Sequence, residues 1–571
     1  MQASNSNIFS SIGMLNFIWI IVLAIAVAPW LSAASPFSFF QCGFSLWSRQ
    51  DAFILECQAI TKELKVENLT IWTSEYVSAG TRLNLTVDEP ASSEGTARCT
   101  DPGWGTPVPL IIPEDICRVS SVFRTSDRSE ISIETWLPRN WTGRLLSTGN
   151  GALGGCIQHE DLAWGNSLGF AAVSGNAGHN GTRGFSFYKN EENLADFGSR
   201  SAHIGVSIGK KLVKFFYGQP HTKAYYYGCS RGGGQGWNEA QKFPEDFDGI
   251  LVGCAALRTA DLMSWTANFR LITGDSHSSS FLSTSKWEMI NRNIVAQCDG
   301  LDGAIDGIVE YPSMCAYDPG QLSCSPTNPD LDQCLTPDQI ETVHKVYSDF
   351  LMRDGTLIYP GMSPSSELET VPWGTLSGQP HQVAEDFYRF AVYNNATWNI
   401  TSLSQQDIFY ARERDPGGLQ VWSGNLTAFA GRGSKVLAYH GTQDGFIPSP
   451  IARIYREYVS STMKLSSAEL DDFYRLFEIG GLGHCSGGSG AWYIGQPGYN
   501  PITTNPEQNA LMALVRWVEA GIGPEKLLGT KFLDDHDFAA GIDFQRAHCK
   551  FPLRNVFQGG DYKDFRNWKC I

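Results

Sequence analysis

Residues Ala224 to Trp237 read AYYYGCSRGGGQGW, a stretch that restricts the fold more than any other in the chain. Three consecutive tyrosines suit a buried strand. They run into a Gly-x-Ser-x-Gly frame, Gly228, Cys229, Ser230, Arg231 and Gly232, and QGWNEAQKFPEDF then reads as a helix ended near Pro244. A serine between strand and helix describes a nucleophile elbow. The turn is strained, so its neighbours must be small, and the helix N-terminus favours negative charge developing beside the hydroxyl. A glycine-rich turn with an incidental serine is the alternative, since the pentapeptide alone matches many loops.

The surroundings favour the elbow. RLLSTGNG, GFAAVSGNAG and KAYYYGCS each read as a strand running into a glycine-bearing loop. Between the last two lies DFGSRSAHIGVSIGKKLVKFFYG, with apolar residues mostly at helical spacing. DGILVGCA is a further strand, SKVLAYHGTQD and DDFYRLFEIGGLGHC resume the strand-then-loop pattern, and PEQNALMALVRWVEAG is amphipathic. Strand and helix in alternation mean parallel pairing with helices on the faces. The chain therefore reads as an α/β core, residues 35–256 and 433–571, interrupted by a large, irregular insertion at 257–432.

A serine hydroxyl is a weak nucleophile without a base, and on this fold acid and histidine follow it in chain order. Asp444, in HGTQDGFIP, and His484, in GGLGHCSGG, both lie in loops after apparent strands. A lone histidine is more often a structural residue. Here, however, Cys229 precedes the serine and Cys485 follows the histidine. A Cys229–Cys485 bond would tie the two loops together beside their working side chains; otherwise each cysteine pairs elsewhere or stays free. The oxyanion would be held by the N–H of Arg231 and by one from STGNGALGG, where Gly151 is the candidate.

The chain has 571 residues and a formal charge of −16, which argues against nucleic acid and anionic membrane surfaces as partners. Leu15 to Trp30 is apolar but for Asn16, and small residues follow it. Residues 1–34 read as a secretory signal cut near Ala34, after which no stable membrane association is expected. The lack of Lys and Arg ahead of it keeps an uncleaved anchor as the alternative. Seven N-glycosylation sequons, at Asn68, Asn84, Asn140, Asn180, Asn395, Asn399 and Asn425, and fourteen cysteines suit a secreted glycoprotein. Cys298 with Cys315, Cys324 with Cys334, and Cys549 with Cys570 are close enough in sequence for local stapling.

GCSRGGGQG, HGTQD and GHC, with cysteines abutting both Ser and His, resemble the tannase and fungal feruloyl esterase family, which also includes mono(hydroxyethyl) terephthalate hydrolases. GNGALGGC and EAQKFPEDFDGI extend the likeness, which runs from about Cys57 to the C-terminus. The resemblance implies an α/β-hydrolase core with the 257–432 insertion as its lid, a triad of Ser230, Asp444 and His484, a Cys229–Cys485 bond, and hydrolysis of esters of hydroxycinnamic or gallic-type acids, free or linked to plant polymer. It also implies the pairs Cys57–Cys117, Cys99–Cys156, Cys298–Cys315, Cys324–Cys334 and Cys549–Cys570, leaving Cys42 and Cys254 to pair with each other or stay free. Two positions depart from the usual family wording. Ala152 stands where glycine is usual. Arg231 stands where a small residue or Thr is usual, and would set a cation beside the oxyanion, favouring substrates with an anionic group.

CDGLDGAIDGIVEY carries Asp299, Asp302 and Asp306 among glycines. Hard cations take several oxygen ligands on a flexible loop, whereas a solvated acidic turn is the plainer reading. The resemblance places structural Ca²⁺ here, held by the side chains of Asp299, Asp302 and Asp306 and the carbonyls of Ala304 and Ile308. The expected function is that of a secreted serine esterase for aromatic acid esters. Its rivals are an esterase or acyltransferase acting on a small secondary metabolite, and an inactive binding protein on the same scaffold. The lid would supply the aromatic pocket, with Trp373 among its candidate residues.

Overall fold

Central strands covered on both faces need apolar side chains at every position, not at alternate ones. YYYG, GILVG and VLAYHG satisfy this, and they become the middle of a nine-stranded mixed sheet. The computed structural model describes residues 49–85, 99, 109–326, 330–372, 374–499 and 502–571. The leader segment 1–34, Cys42 and Trp373 lie outside the described residues.

The strands are β1 (Leu69–Val77), β2 (Ile116–Arg124), β3 (Glu130–Pro138), β4 (Arg144–Thr148), β5 (Ala171–Gly175), β6 (Lys223–Cys229), β7 (Gly249–Gly253), β8 (Lys435–Gly441) and β9 (Tyr474–Ile479). Their order is β1-β2-β3-β5-β4-β6-β7-β8-β9. Pairing is parallel from β5 to β9 across the sheet and antiparallel on the β1–β3 side. The N-terminal part thus extends the sheet edge, and Cys57–Cys117 ties the helix Arg49–Glu63 to β2.

Helix α1 (Ser201–Tyr217) covers one face, packing Val206, Leu212 and Val213 into the core that holds Leu145 and Val173. A single π-helical turn, Asp196–Arg200, precedes it, and Gly218 ends it at φ 68°. Helix α2 (Arg231–Lys242) follows Ser230 directly. Helix α3 (Ala510–Ala520) covers the other face, with Leu511, Leu514 and Trp517 against Leu251, Leu437 and Tyr439. Asn509 caps α3 by accepting the Met512 N–H at 3.1 Å.

The 257–432 insertion is more regular than its sequence suggests. It contains the helices Thr259–Thr273, Thr284–Cys298, Pro337–Tyr347 and Gln405–Arg414. Thr259–Thr273 lacks a helical hydrophobic period because it is buried on most sides. Leu262, Trp265 and Phe269 share its interior with Asp261, Ser264 and Thr266, and Asp261 is ion-paired to Arg258 and Arg412. Residues Arg49–Ile571 form one compact unit, and Trp265, Trp287 and Tyr359 of the insertion belong to the same apolar core as Ile250 and Val436 of the sheet.

Candidate active site

The loops that follow β4, β6, β8 and β9 carry Gly151, Ser230, Asp444 and His484. This is the carboxyl end of the parallel strands, and the chain reverses direction across the sheet between β4 and β6, where α/β sheets open their binding crevice. Ser230 sits between β6 and α2 at φ 61° and ψ −124°, a strained conformation for a residue with a side chain. Its N–H donates to Gly253 O at 3.0 Å, and its carbonyl accepts from Gly234 and Ala256. These bonds over-determine the turn.

The glycines around it are explained by close approach. A Cβ on Gly228 would lie 2.5 Å from the Gly232 carbonyl group, and one on Gly233 would lie 2.6 Å from Gly253 O. Strand, elbow and helix touch backbone to backbone. The Gly151 loop is fixed to the same helix. Gln235 donates to Asn150 Oδ1 at 2.9 Å and accepts the Asn150 N–H at 2.8 Å, while Asn150 Nδ2 donates to the carbonyls of Cys156 and Gly175. A Cβ on Gly232 would lie 3.1 Å from Asn150 O, so the loop abuts the start of α2. The Arg231 N–H, in the first turn, has no intrahelical acceptor.

Asp444 is fully buried, and its Oδ2 accepts from His484 Nδ1 at 2.9 Å. Its Oδ1 accepts the N–H groups of Phe446 and Ile447 at 2.9 and 2.8 Å. His440 Nε2 lies 3.4 Å from Oδ2 and 2.8 Å from Ile447 O. Burial pushes the Asp444 carboxyl up, but the His484 imidazolium and the hydrogen bonds of His440 and His484 outweigh it and hold Asp444 well below the usual carboxylate range. For His484 burial acts downward and the Asp444 charge more than offsets it, so its basicity is raised. With Nδ1 engaged, Nε2 is left for a nucleophile. Phe446 packs against the imidazole with ring centroids 5.4 Å apart.

Cys229 and Cys485 are bonded with Cα atoms 5.9 Å apart, joining the residues next to Ser230 and His484. Among the described residues Ser230 Oγ makes no hydrogen bond, and the tether joins its loop to that of His484. Catalytic hydrogen bonds in substrate-free sites are commonly long and tighten in the complex. Cys57–Cys117, Cys99–Cys156, Cys298–Cys315, Cys324–Cys334 and Cys549–Cys570 are also bonded. Cys254 is a free, buried thiol whose sulfur lies within 4.8 Å of both tether sulfurs. Burial raises its pKa well above that of an ordinary thiol, leaving it unreactive.

Arg231 corrects an expectation. Its guanidinium is buried, donates to Phe197 O at 2.9 Å and Gly198 O at 3.1 Å, and stacks over the Phe197 ring. Pointed into the interior, it offers no charge to an anionic substrate. Ala152, the other departure, holds φ 49°, a backbone region in which glycine is easily accommodated.

Sequence reasoning missed Glu369. This side chain of the insertion accepts the His484 N–H at 2.6 Å and the Gly445 N–H at 2.8 Å. Nothing local marks it, because its partners lie 115 and 76 residues away. In the acidic loop, Asp299 accepts the N–H groups of Asp306, Gly307 and Ile308, and Asp302 Oδ1 accepts that of Ala304. Asp306 pairs with Arg546 of the strand Ile542–Cys549 at 2.7 Å, and Ala304 and Ile308 are buried. Asp302 Oδ2 is buried with no hydrogen-bond partner, an orphaned anionic oxygen of the kind a cation satisfies.

Residues 117–571 match the family described as tannase and feruloyl esterase. The chain is 42% identical over 534 residues to an Aspergillus oryzae protein named "Probable feruloyl esterase B-2", covering 93% of this chain and 98% of that one. The crystal structure of feruloyl esterase B from Aspergillus oryzae superposes with a TM-score of 0.85 at 40% identity, over 91% of this chain and all of the other. A tannin acyl hydrolase from Aspergillus niger shares the fold, with a TM-score of 0.70 at 21% identity, over 91% of this chain and 94% of that one. The chain belongs to the tannase and feruloyl esterase family and is a carboxylic ester hydrolase.

Proposed function

We propose that the chain is an exported serine esterase cleaving hydroxycinnamic acid esters through an acyl-enzyme, on an α/β-hydrolase core whose 257–432 insertion forms the lid. The carrying observation is the His484–Asp444 hydrogen bond of 2.9 Å in a loop disulfide-linked to the residue before Ser230. His484 takes the Ser230 proton as Oγ attacks the ester carbonyl, and Asp444 stabilises the imidazolium. The developing oxyanion accepts from the N–H groups of Arg231 and Gly151. Collapse breaks the ester bond, His484 protonates the leaving alcohol, and water, deprotonated by His484, releases the acid from Ser230.

The interior position of the Arg231 guanidinium favours uncharged esters. Export and N-glycosylation are supported by six disulfides and by exposure of Asn68, Asn84, Asn140, Asn180, Asn395, Asn399 and Asn425. Ca²⁺ would be held by Asp299, Asp302 and Asp306 with the carbonyls of Ala304 and Ile308, bracing the insertion without entering the reaction; the orphaned Asp302 oxygen supports this. Labelling with a fluorophosphonate tests the chemistry: modification of Ser230 is expected, and a folded protein that never labels would reduce it to a binding scaffold. Hydrolysis of methyl ferulate exceeding that of methyl gallate and of a terephthalate monoester is the expected substrate order.

A further inference from the structure

One acidic side chain of the insertion reaches the loops that carry Asp444 and His484. Glu369 lies in a helical turn, Glu367–Thr370, that packs on the acid loop. A Cβ on Gly445 would lie 2.5 Å from Ser366 O and 2.7 Å from the Thr370 side chain. On the other loop, a Cβ on Gly483 would lie 2.6 Å from Glu369 Oε1. The residues adjoining the catalytic acid and the catalytic base are thus both glycine where this turn must seat. The turn itself is fastened: Glu367 accepts from Asn291 and from the Tyr347 hydroxyl, and Ser365 O accepts from Gln443 of the acid loop.

The geometry points to Glu369 as a positioning residue: its carboxylate bridges the backbone N–H groups of His484 and Gly445, holding base and acid loops in register and placing a negative charge beside the imidazolium that forms during catalysis. The inference rests on the esterase reading above. It complements the Cys229–Cys485 bond, which fixes the histidine loop to the nucleophile but leaves its register against the acid loop to other contacts.

Charge at this place is not kept for stability. Burial, and then the Asp444 charge, push the Glu369 carboxyl up to about 7; the His484 imidazolium and the two backbone N–H groups act the other way without prevailing. A carboxyl that titrates higher folded than unfolded weakens the fold as pH rises between those two values, so ionised Glu369 costs stability at neutral pH. The charged groups facing it are Asp444 on the acid loop and His484 on the base loop, while Glu367 of its own turn is directed to Asn291 and Tyr347.

The test uses the glycosylated full-length enzyme and follows the rate of Ser230 labelling by a fluorophosphonate against pH, beside methyl ferulate kinetics. Glu369→Gln is expected to slow labelling and kcat about tenfold or more with KM little changed, because one charge-assisted acceptor is lost. Removing a negative charge makes the imidazolium less stable, so the acidic limb of the profile should move to lower pH. Glu369→Asp keeps the charge on a shorter arm and should retain the wild-type limb while remaining slow. Wild-type labelling rate and limb in Glu369→Gln would overturn the proposal. So would an equal loss at every pH in both variants accompanied by a lower Tm, the signature of a structural contact alone. Labelling reads Ser230 and His484 whatever the natural ester, so a wild-type enzyme that labels but ignores methyl ferulate counts against the substrate class only.

Discussion

Strands β6, β8 and β9 end in the loops bearing Ser230, Asp444 and His484, whereas the insertion touches two of those loops with the helical turn Glu367–Thr370 and the residues just before it. The sheet delivers each group by running a buried strand into a short turn, so every candidate catalytic position is encoded within a dozen residues of its own strand. The insertion delivers Glu369 by packing a turn onto loops whose glycines leave room for it, an arrangement visible only after folding. Both regions act on the same histidine, the sheet frame through Asp444 at Nδ1 and the insertion through Glu369 at the backbone N–H. Chemistry is therefore expected to collapse when the frame is cut and to be tuned when the insertion is changed.

The sharpest break in this comparison comes from the nucleophile. Ser230→Ala should lower kcat for methyl ferulate by about 10⁶-fold and abolish fluorophosphonate labelling, with Tm nearly unchanged. Asp444→Asn comes next. Its partner at Nδ1 would lose the acceptor that fixes the tautomer, and a fall in kcat of about 10⁴-fold is expected in steady-state assays. Replacing both Cys229 and Cys485 by Ala should cost about a hundredfold, since small misplacements of reacting groups have effects of that size. Full activity in this double variant would show that packing alone holds the two loops and that the frame needs no tether.

These effects rank in the order in which the parts were legible. The elbow could be read because GCSRGGGQG combines strand, turn and helix signals in one stretch, and the glycines prove to be backbone contacts. Ser230 and His484 could be singled out because cysteines flank both, and the structure bonds those cysteines and brings His484 to Asp444. The Arg231 side chain could not, because a sequence gives its charge without its direction; burial against Phe197 and Gly198 decided that. The helix Thr259–Thr273 escaped because polar Asp261, Ser264 and Thr266 are buried in it alongside aromatics, erasing the period that marks a surface helix. Asn150 and Gln235, which lock the Gly151 loop to α2, lie 85 residues apart and carry no joint signal.

The smallest expected effect concerns the acidic loop, where the insertion meets the strand Ile542–Cys549 through Asp306 and Arg546. If Ca²⁺ braces this contact, chelation should lower Tm by a few degrees while leaving kcat at permissive temperature almost unchanged, since a ligand at 100 times its Kd adds about 2.7 kcal/mol. The response should weaken at acid pH, where protons compete for the carboxylates. Asp302→Ala separates the metal from the loop itself. It removes the orphaned Oδ2 together with Oδ1, the acceptor of the Ala304 N–H, so in calcium-free buffer Tm should change little, and calcium should no longer raise it. A wild-type Tm indifferent to chelator would leave Asp302 as an uncompensated cost. The insertion would then be held to the frame by its apolar core and by direct contacts such as the Asp306–Arg546 and Arg183–Asp386 pairs.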